Sequence, residues 1–434
     1  MTNQIKKVGV IGAGTMGAGI AGQVANAGIE VWLLDLPSDG ENVNSLSAKG
    51  LERLKDPDMP GLMSVEAEEL INLGNTRDHF HELEDCDWIA EAVVERLDIK
   101  QALYRRLSDT CKESTIITSN TSTIPIKFLT EGMPTEFCER FAITHFFNPV
   151  RYMRLLELVR GEFTRDDVIN TLDVFSEINL GKGVVSCSDT PGFLANRVGV
   201  FAIQCALHKA FEYKLSPTEA DAFFGRPLGL PKTGVFGLYD LIGIDLMADV
   251  VKSLVSILPE NDAFHKYSSP IKFMTDMIAN GQTGNKNEKG FYTQVGDERK
   301  VIDLSNGNYV AHGRLKTPLL EEAEKTGISF IINDKSPYGL YIWNVIAETL
   351  CYAASLVPEV TDDLTQIDDA MKLGYNWVKG PFELLDEIGI EYFVDRLIND
   401  GIDVPEFLLK GLDNKFYNNS KSGLSSLTPD GNLK

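Results

Sequence analysis

The 434-residue sequence has no CxxC pair, no uninterrupted apolar run long enough to span a bilayer, and no excess of basic residues. Each absence excludes something. The six cysteines (Cys86, Cys111, Cys138, Cys187, Cys205, Cys351) are scattered, as expected of reduced, mostly buried thiols and not of a disulfide framework or a structural zinc site. His79 and His81 stand close together but gather no further ligands, so no metal is implied. The best membrane candidate, from Val8 to Leu34, is broken by glycines and by Gln23, Asn26 and Glu30, which makes it poor material for a hydrocarbon core. Lysine and arginine total 41 against 63 aspartates and glutamates, a formal net charge of −22. Nucleic acid and anionic membrane surfaces both demand a basic footprint, so small molecules or proteins remain as partners. The first apolar strand starts by about Ile5, leaving no room ahead of it for a charged leader and cleavage site, and a cytoplasmic location is the expectation.

What is present is 43% hydrophobic and 24% charged, the mixture of a globular protein, in a chain long enough for two to four domains. From Lys6 to about Val185, short aliphatic runs (VGVIGAG, VWLLDL, WIAEAVV, TIITSN, RFAITHFF) alternate with helix-like segments such as IKQALYRRLSDTC. That alternation predicts an α/β layer architecture with a largely parallel sheet. After Asp189-Thr190-Pro191-Gly192 the strand signal fades. Asp189 or Thr190 as a cap and Pro191 in the first turn predict a helix running through FLANRVGVFAIQCALHKAFEY. A polar stretch, GNKNEKGFYTQVGDERKVIDLSNGNYVAHG, reads as a domain link, and helical periodicity resumes beyond it. GVFGLYDLIGID (234–245) matches GPFELLDEIGIE (380–391), which points to a duplicated helical unit. The expected domains are 1–187 (α/β), 188–296 (helical), 297–334 (linker), 335–415 (second helical copy) and 416–434, a tail without periodicity that should fray.

Gly12-Ala13-Gly14-Thr15-Met16-Gly17 follows the strand-like KKVGVI and opens a plausible helix. In that context Gly12 permits a tight turn, Gly14 lets backbone approach a pyrophosphate, Gly17 lets helix and strand pack closely, and the helix N-terminus supplies unpaired N–H groups. The next strand, EVWLLD, ends at Asp35, placed to accept hydrogen bonds from both hydroxyls of an adenosine ribose. No arginine or lysine stands beside it in LDLPSDGEN to receive a 2′-phosphate, which favours NAD over NADP. The rival reading is that the glycines only pack a helix against a strand and Asp35 caps a loop.

The stretch THFFNPVRYMRLLEL (144–158) carries the candidate chemistry. His145 ends an apolar strand, Asn148-Pro149 forces a turn, and YMRLLELV reads as a returning strand. If the reversal centres near Arg151, Glu157 lies opposite His145. By the period of two, Glu157 is the one charged member of a row with Met153, Leu155 and Val159. A buried carboxylate needs a partner, and a histidine across the ladder supplies one. Removing a hydroxyl proton as hydride leaves for a nicotinamide suits a histidine whose tautomer a carboxylate fixes.

In their order, VGVIGAGTMGAGIA, EAVVERLDIKQALYRRL, SNTSTIPI, THFFNP, LLELV, DTPGFLANR and EKGFY make the chain resemble the L-3-hydroxyacyl-CoA dehydrogenases of fatty-acid β-oxidation, over about residues 5–292. The helical repeat extends the likeness to about residue 400 and is similar to the longer members with two C-terminal helical copies. The resemblance implies an α/β Rossmann-type NAD-binding domain followed by two repeated all-α domains of the 6-phosphogluconate-dehydrogenase-like C-terminal fold. It implies NAD as cofactor, an acyl-CoA substrate, and oxidation of (S)-3-hydroxyacyl-CoA to 3-oxoacyl-CoA. His145 would be the general base and Glu157 its orienting partner; Ser122 would lie near the substrate hydroxyl and nicotinamide, and Asn196 near the thioester. Beside the fingerprint, Glu95, Lys100 and Asn148 look like NAD contacts. So does Lys286, although NKNEKGFY departs from the family's usual KTGxGFY. Each has a bland rival: Ser122 and Asn196 as helix-start or packing residues, Lys100 as a solvated cation. Single-copy relatives look like homodimers, so the second copy is expected to make a pseudo-dimeric monomer, with a homodimer as the alternative; association with other β-oxidation enzymes is also implied. Two further readings stay open: a related dehydrogenase of a free hydroxy acid or sugar acid, and an NAD-bound structural protein without chemistry.

Overall fold

The computed structural model describes residues 5–412, 414–420 and 423–434. It forms two compact units, Met1–Phe193 and Leu194–Lys434.

In the first unit, β1 (Lys7–Ile11), β2 (Glu30–Asp35), β3 (Ile71–Asn75), β4 (Trp88–Glu91), β5 (Ile116–Ser119), β6 (Phe141–Phe146), β7 (Leu155–Arg160) and β8 (Gly183–Cys187) make one sheet. Its order is β3-β2-β1-β4-β5-β6-β7-β8. Pairing is parallel from β3 to β6, antiparallel between β6 and β7, and parallel again between β7 and β8. The aliphatic runs of β1, β4, β5 and β6 are buried on both faces, as parallel strands covered by helices on either side must be. The helix Thr15–Asn26 covers one face by burying Ile20 and Val24 in the core that includes Val8 and Val10. Because β1 lies between β2 and β4, the strand order reverses there, and a crevice opens beyond the carboxyl ends of β1 and β4.

The second unit is helical and internally duplicated. The helices Ala195–Glu212 and Pro337–Ser355 pack antiparallel: Arg197 meets Tyr352 at one end, and Asn344 bonds Tyr213 at the other. Each is followed by a shorter helix (Pro217–Phe223; Leu364–Tyr375), then by a helix pair broken at a positive-φ glycine. The pairs are Gly234–Ile242 with Ile244–Ile257, and Pro381–Ile388 with Ile390–Asn399; Gly243 (φ +109°) and Gly389 (φ +93°) make the same sharp bend. Among the described residues no helix is long and apolar enough to cross a membrane.

Three expectations need correction. The helix at the start of this unit begins at Ala195, not at Pro191, because the Asp189 carboxylate caps Ile126 and Lys127 of another helix instead. The stretch read as a linker is structured: β9 (Tyr292–Val295), β10 (Glu298–Ile302) and β11 (Tyr309–Ala311) form an antiparallel sheet, and Pro318–Thr326 is a helix. The tail read as fraying forms a hairpin of β12 (Tyr417–Ser420) and β13 (Gly423–Ser426), with Phe416 and Leu427 buried; Lys421 and Ser422 lie outside the described residues.

The β9–β10 and β12–β13 hairpins are the same element in the two copies, and two carboxylates, one buried and one half-buried, tie each one down. Asp221 accepts from Phe236 N, Gly237 N and the Tyr292 hydroxyl, while Asp368 accepts from Phe382 N, Glu383 N and the Tyr417 hydroxyl. Asp240 takes the amides of Phe291 and Tyr292, and Asp386 those of Phe416 and Tyr417. Burial pushes the carboxyls of Asp221 and Asp368 up to about 7 and that of Asp240 up to about 6, against the opposing pull of these hydrogen bonds.

Candidate functional site

The glycine turn joins β1 to the helix Thr15–Asn26. Gly12 has φ +100°, and a Cβ there would lie 2.4 Å from Ala92 O; a Cβ on Gly17 would lie 1.7 Å from Gly12 O. Backbone cannot move aside as a side chain can, so both positions require glycine. A Cβ on Gly14 would meet nothing within 4 Å, so this bare backbone faces open space. The first helical turn carries no acidic residue, and the first helical bond runs from Ala18 N to Gly14 O, leaving the preceding amides available to an anion. Asp35 accepts from Ala13 N at 2.6 Å and Leu36 N at 2.7 Å, one bond on each oxygen, which leaves acceptor capacity on both. The structure also brings up a cation that adjacency in sequence did not show: Arg53 donates to Ala13 O at 2.9 Å.

His145 and Glu157 face each other across the β6/β7 ladder, in a register centred on Arg151. Nδ1 of His145 lies 2.7 Å from Oε2 of Glu157, with Glu157 fully buried and His145 7% exposed. The returning strand starts at Leu155, later than YMRLLELV suggested, because Tyr152 and Met153 belong to the turn. Phe147 and Phe193 flank the imidazole at ring-centre distances of 4.6 and 5.8 Å. The ammonium of Lys182 holds the turn by donating to the carbonyls of Val150 and Met153, and burial lowers this amine to about 8. Asn120, just beyond β5, accepts from Phe146 N at 2.9 Å and so ties β6 beside the histidine to the end of its neighbour.

Between the glycine turn and His145, the ends of β4 and β5 carry a network around Glu91, which is fully buried. Its carboxylate accepts from Lys100, Ser119 and Tyr104 and from the amide of Val93. Lys100, expected at the cofactor, is 1% exposed, and its ammonium is shared by Glu91 at 2.7 Å and Glu95 at 3.2 Å. Burial removes it from the crevice surface. Glu95 is the accessible member: it takes the hydroxyls of Thr121 and Thr123. Burial raises its carboxyl, but the Lys100 charge and those hydroxyls prevail and hold it below the ordinary range. Ser122 is half-buried in the loop after β5, and Asn148 is exposed in the turn after β6. All lie at the carboxyl edge of the sheet with the glycine turn.

In the second unit, Asn196 stands in the first turn of Ala195–Glu212, and its Oδ1 accepts from the Tyr375 hydroxyl at 3.3 Å. The Tyr375 ring lies over Gly199, where a Cβ would sit 2.0 Å from it. Lys286, expected at the cofactor, is engaged by Asp245 at 2.6 Å.

Residues 7–190 match the family model described as 3-hydroxyacyl-CoA dehydrogenase, NAD binding domain, and residues 192–294 match its C-terminal domain. The chain belongs to the 3-hydroxyacyl-CoA dehydrogenase family. It is 42% identical over 392 residues to the "Putative fatty acid oxidation complex trifunctional enzyme" of Rickettsia felis, covering 89% of this chain and 53% of that protein. It is 33% identical to the mitochondrial hydroxyacyl-coenzyme A dehydrogenase of Rattus norvegicus, covering 66% of this chain and 91% of the rat protein. The chain thus spans about half the length of the first curated relatives it matches, and nearly all of shorter ones. A crystal structure of 3-hydroxybutyryl-CoA dehydrogenase from Escherichia coli K12 covers 94% of this chain and 98% of its own at TM-score 0.70 and 23% identity, a likeness of fold alone.

The first unit of this 3-hydroxyacyl-CoA dehydrogenase family member is therefore an NAD-binding Rossmann domain. The open backbone at Gly14, the free amides behind it and the remaining acceptor sites of Asp35 fit that cofactor. Glu91 was missed in sequence although, like Glu157, it is a lone carboxylate in an apolar strand, here closing WIAE. Lys182 and Tyr375 gave no signal: their partners are 29 to 32 and 179 residues away in the chain.

Proposed function

We propose that the protein oxidises (S)-3-hydroxyacyl-CoA to 3-oxoacyl-CoA with NAD, and that the buried His145–Glu157 pair at the edge of the dinucleotide crevice is the observation that carries this reading. NAD, when bound, supplies the hydride acceptor. Glu157 accepts from Nδ1–H and so fixes the tautomer in which Nε2 is an acceptor, free to take the substrate hydroxyl proton. As the imidazolium forms, the carboxylate at 2.7 Å stabilises it in surroundings where water cannot screen the pair. Phe147 and Phe193 exclude water from the ring. Ser122 and Asn196 position the substrate, and Tyr375 orients the Asn196 amide through its hydrogen bond.

His145→Gln is expected to retain NADH binding while losing most turnover with acetoacetyl-CoA; near-normal turnover would refute the assignment. Activity on a free 3-hydroxy acid exceeding that on the CoA ester would establish the free-acid reading instead. The antiparallel packing of the two helical copies supports a pseudo-dimeric monomer. A cytoplasmic location and association with other β-oxidation enzymes complete the proposal, the latter supported by the names of the rickettsial relatives.

A further inference from the structure

The duplication in the second unit provides an internal comparison. Because Asp221 and Asp368 bind the same backbone positions, Ala222 corresponds to Asp369; the matched strings make Gly237 correspond to Glu383 and Leu241 to Glu387. In the second copy each of these carboxylates neutralises a lysine. Lys372 pairs with Asp369 and Glu383 at 3.0 Å, and Lys379 with Glu387 at 2.9 Å. In the first copy the carboxylates are absent, and Ala222, Gly237 and Leu241 line a cleft of about 560 Å3.

Four cations line the same cleft: Arg226, Lys232, Arg299 and Arg314. All are exposed, and none has a carboxylate oxygen of a described residue within ion-pair distance, although Arg299 acts electrostatically on Asp240. Arg299 is held over the Tyr292 ring at 4.5 Å, and that ring is fixed in turn by its hydroxyl on Asp221 and by His312 at 5.2 Å. Asp221 and Asp240 also border the cleft, but their oxygens are occupied by backbone amides and Tyr292; Glu324 is the exposed carboxylate on the rim. Against the three carboxylates of the lining, the four cations leave the cleft a formal excess of one positive charge, in a chain whose net charge is −22.

We propose that this cleft is a binding site for a small organic anion carrying at least two phosphate groups, of the class of a nucleoside diphosphate. Three of the four cations are arginines, whose planar forks match phosphate oxygens. The volume lies in the range that encloses a nucleotide-sized ligand, about 300–1,000 Å3. Leu241 and Leu315 supply an apolar wall for a ring system, while Thr218 and Asn285 supply neutral polar contacts. The same chemistry is offered by a free nucleotide and by the phosphate-bearing end of a CoA ester.

The test uses the full chain saturated with NADH, so that the dinucleotide crevice is filled, with ADP and inorganic pyrophosphate titrated calorimetrically at low salt. Wild type should bind both, more weakly as salt rises, and affinity should fall about tenfold or more in Arg299→Ala/Arg314→Ala. The same loss is expected in Leu241→Glu, which restores the second copy's carboxylate at a position 61% exposed, where folding is not at risk. A raised KM for acetoacetyl-CoA in these variants would identify the anion as the substrate's own phosphates; an unchanged KM with ADP binding lost would identify a free nucleotide. No binding by wild type, or equal binding by wild type and both variants, overturns the proposal. Binding is read without turnover, so its failure is separable from failure of the dehydrogenase reading.

Discussion

Glu157→Gln isolates the charge of the catalytic pair while keeping its shape. The side chain is fully buried, and Oε2 lies 2.7 Å from Nδ1 of His145, so a glutamine oxygen can still accept from the neutral imidazole. What disappears is the stabilisation of the imidazolium. Two unit charges about 4 Å apart at an effective dielectric constant of about 20 interact by about 4 kcal/mol, whereas replacing a charge-assisted hydrogen bond by a neutral one removes about 1–2 kcal/mol. Between these bounds, kcat should fall by about 5- to 700-fold, at about 1.4 kcal/mol per decade. The fold should not suffer, because the substitution removes a buried charge without changing volume. Steady-state reduction of acetoacetyl-CoA, followed by NADH absorbance, reads kcat and KM, while NADH titration and thermal unfolding monitor the crevice and the fold. A kcat within about twofold of wild type, with binding and unfolding intact, would remove Glu157 from the mechanism.

Other expectations follow from single contacts. Gly17→Ala places a methyl 1.7 Å from Gly12 O and should abolish NADH binding in titration and lower stability by about 1–3 kcal/mol. Tyr375→Phe removes the bond to Asn196 while the ring still fills the space over Gly199; kcat should drop about 2- to 10-fold with an unchanged unfolding midpoint, and equal loss of stability would make its role structural. Asp368 is raised from 3.8 to about 7 in the folded chain, so between those values the folded state binds the extra proton and wild-type stability falls as pH rises. Asp368→Asn lacks that titration; its deficit against wild type should narrow as pH rises through the window, and parallel denaturation profiles would refute the shift. Light scattering should give a monomer near 48.0 kDa.

The strand register at the site was legible because a period of two and a turn centred on Arg151 leave one pairing that buries Leu155, Glu157 and Val159 together. The same lone-carboxylate reasoning, applied to WIAE, would have reached Glu91. The two hairpins were illegible for a different reason. Their strands are short, and in the first hairpin Gln294, Val295 and Glu298 lie in solvent, so no alternation of apolar and polar residues marks it. They are held instead by Asp240 and Asp386, some 51 and 30 residues earlier in the chain.

The sequence by itself determined the glycine turn, the alternation of strands and helices in the first unit, the duplication of the helical copy, and the pairing of His145 with Glu157. The duplication is a repeated string; the others depend on neighbours within about a dozen positions, where backbone geometry and periodicity leave few alternatives. Only the tertiary structure decided that Lys100 is buried between two carboxylates, that Lys182 clamps the turn beside His145, that Tyr375 bonds Asn196, and that four cations of the first helical copy face one cleft unpaired. Charge and hydrogen bonding act through space over a few ångströms, and the partners they select are set by packing, not by proximity along the chain.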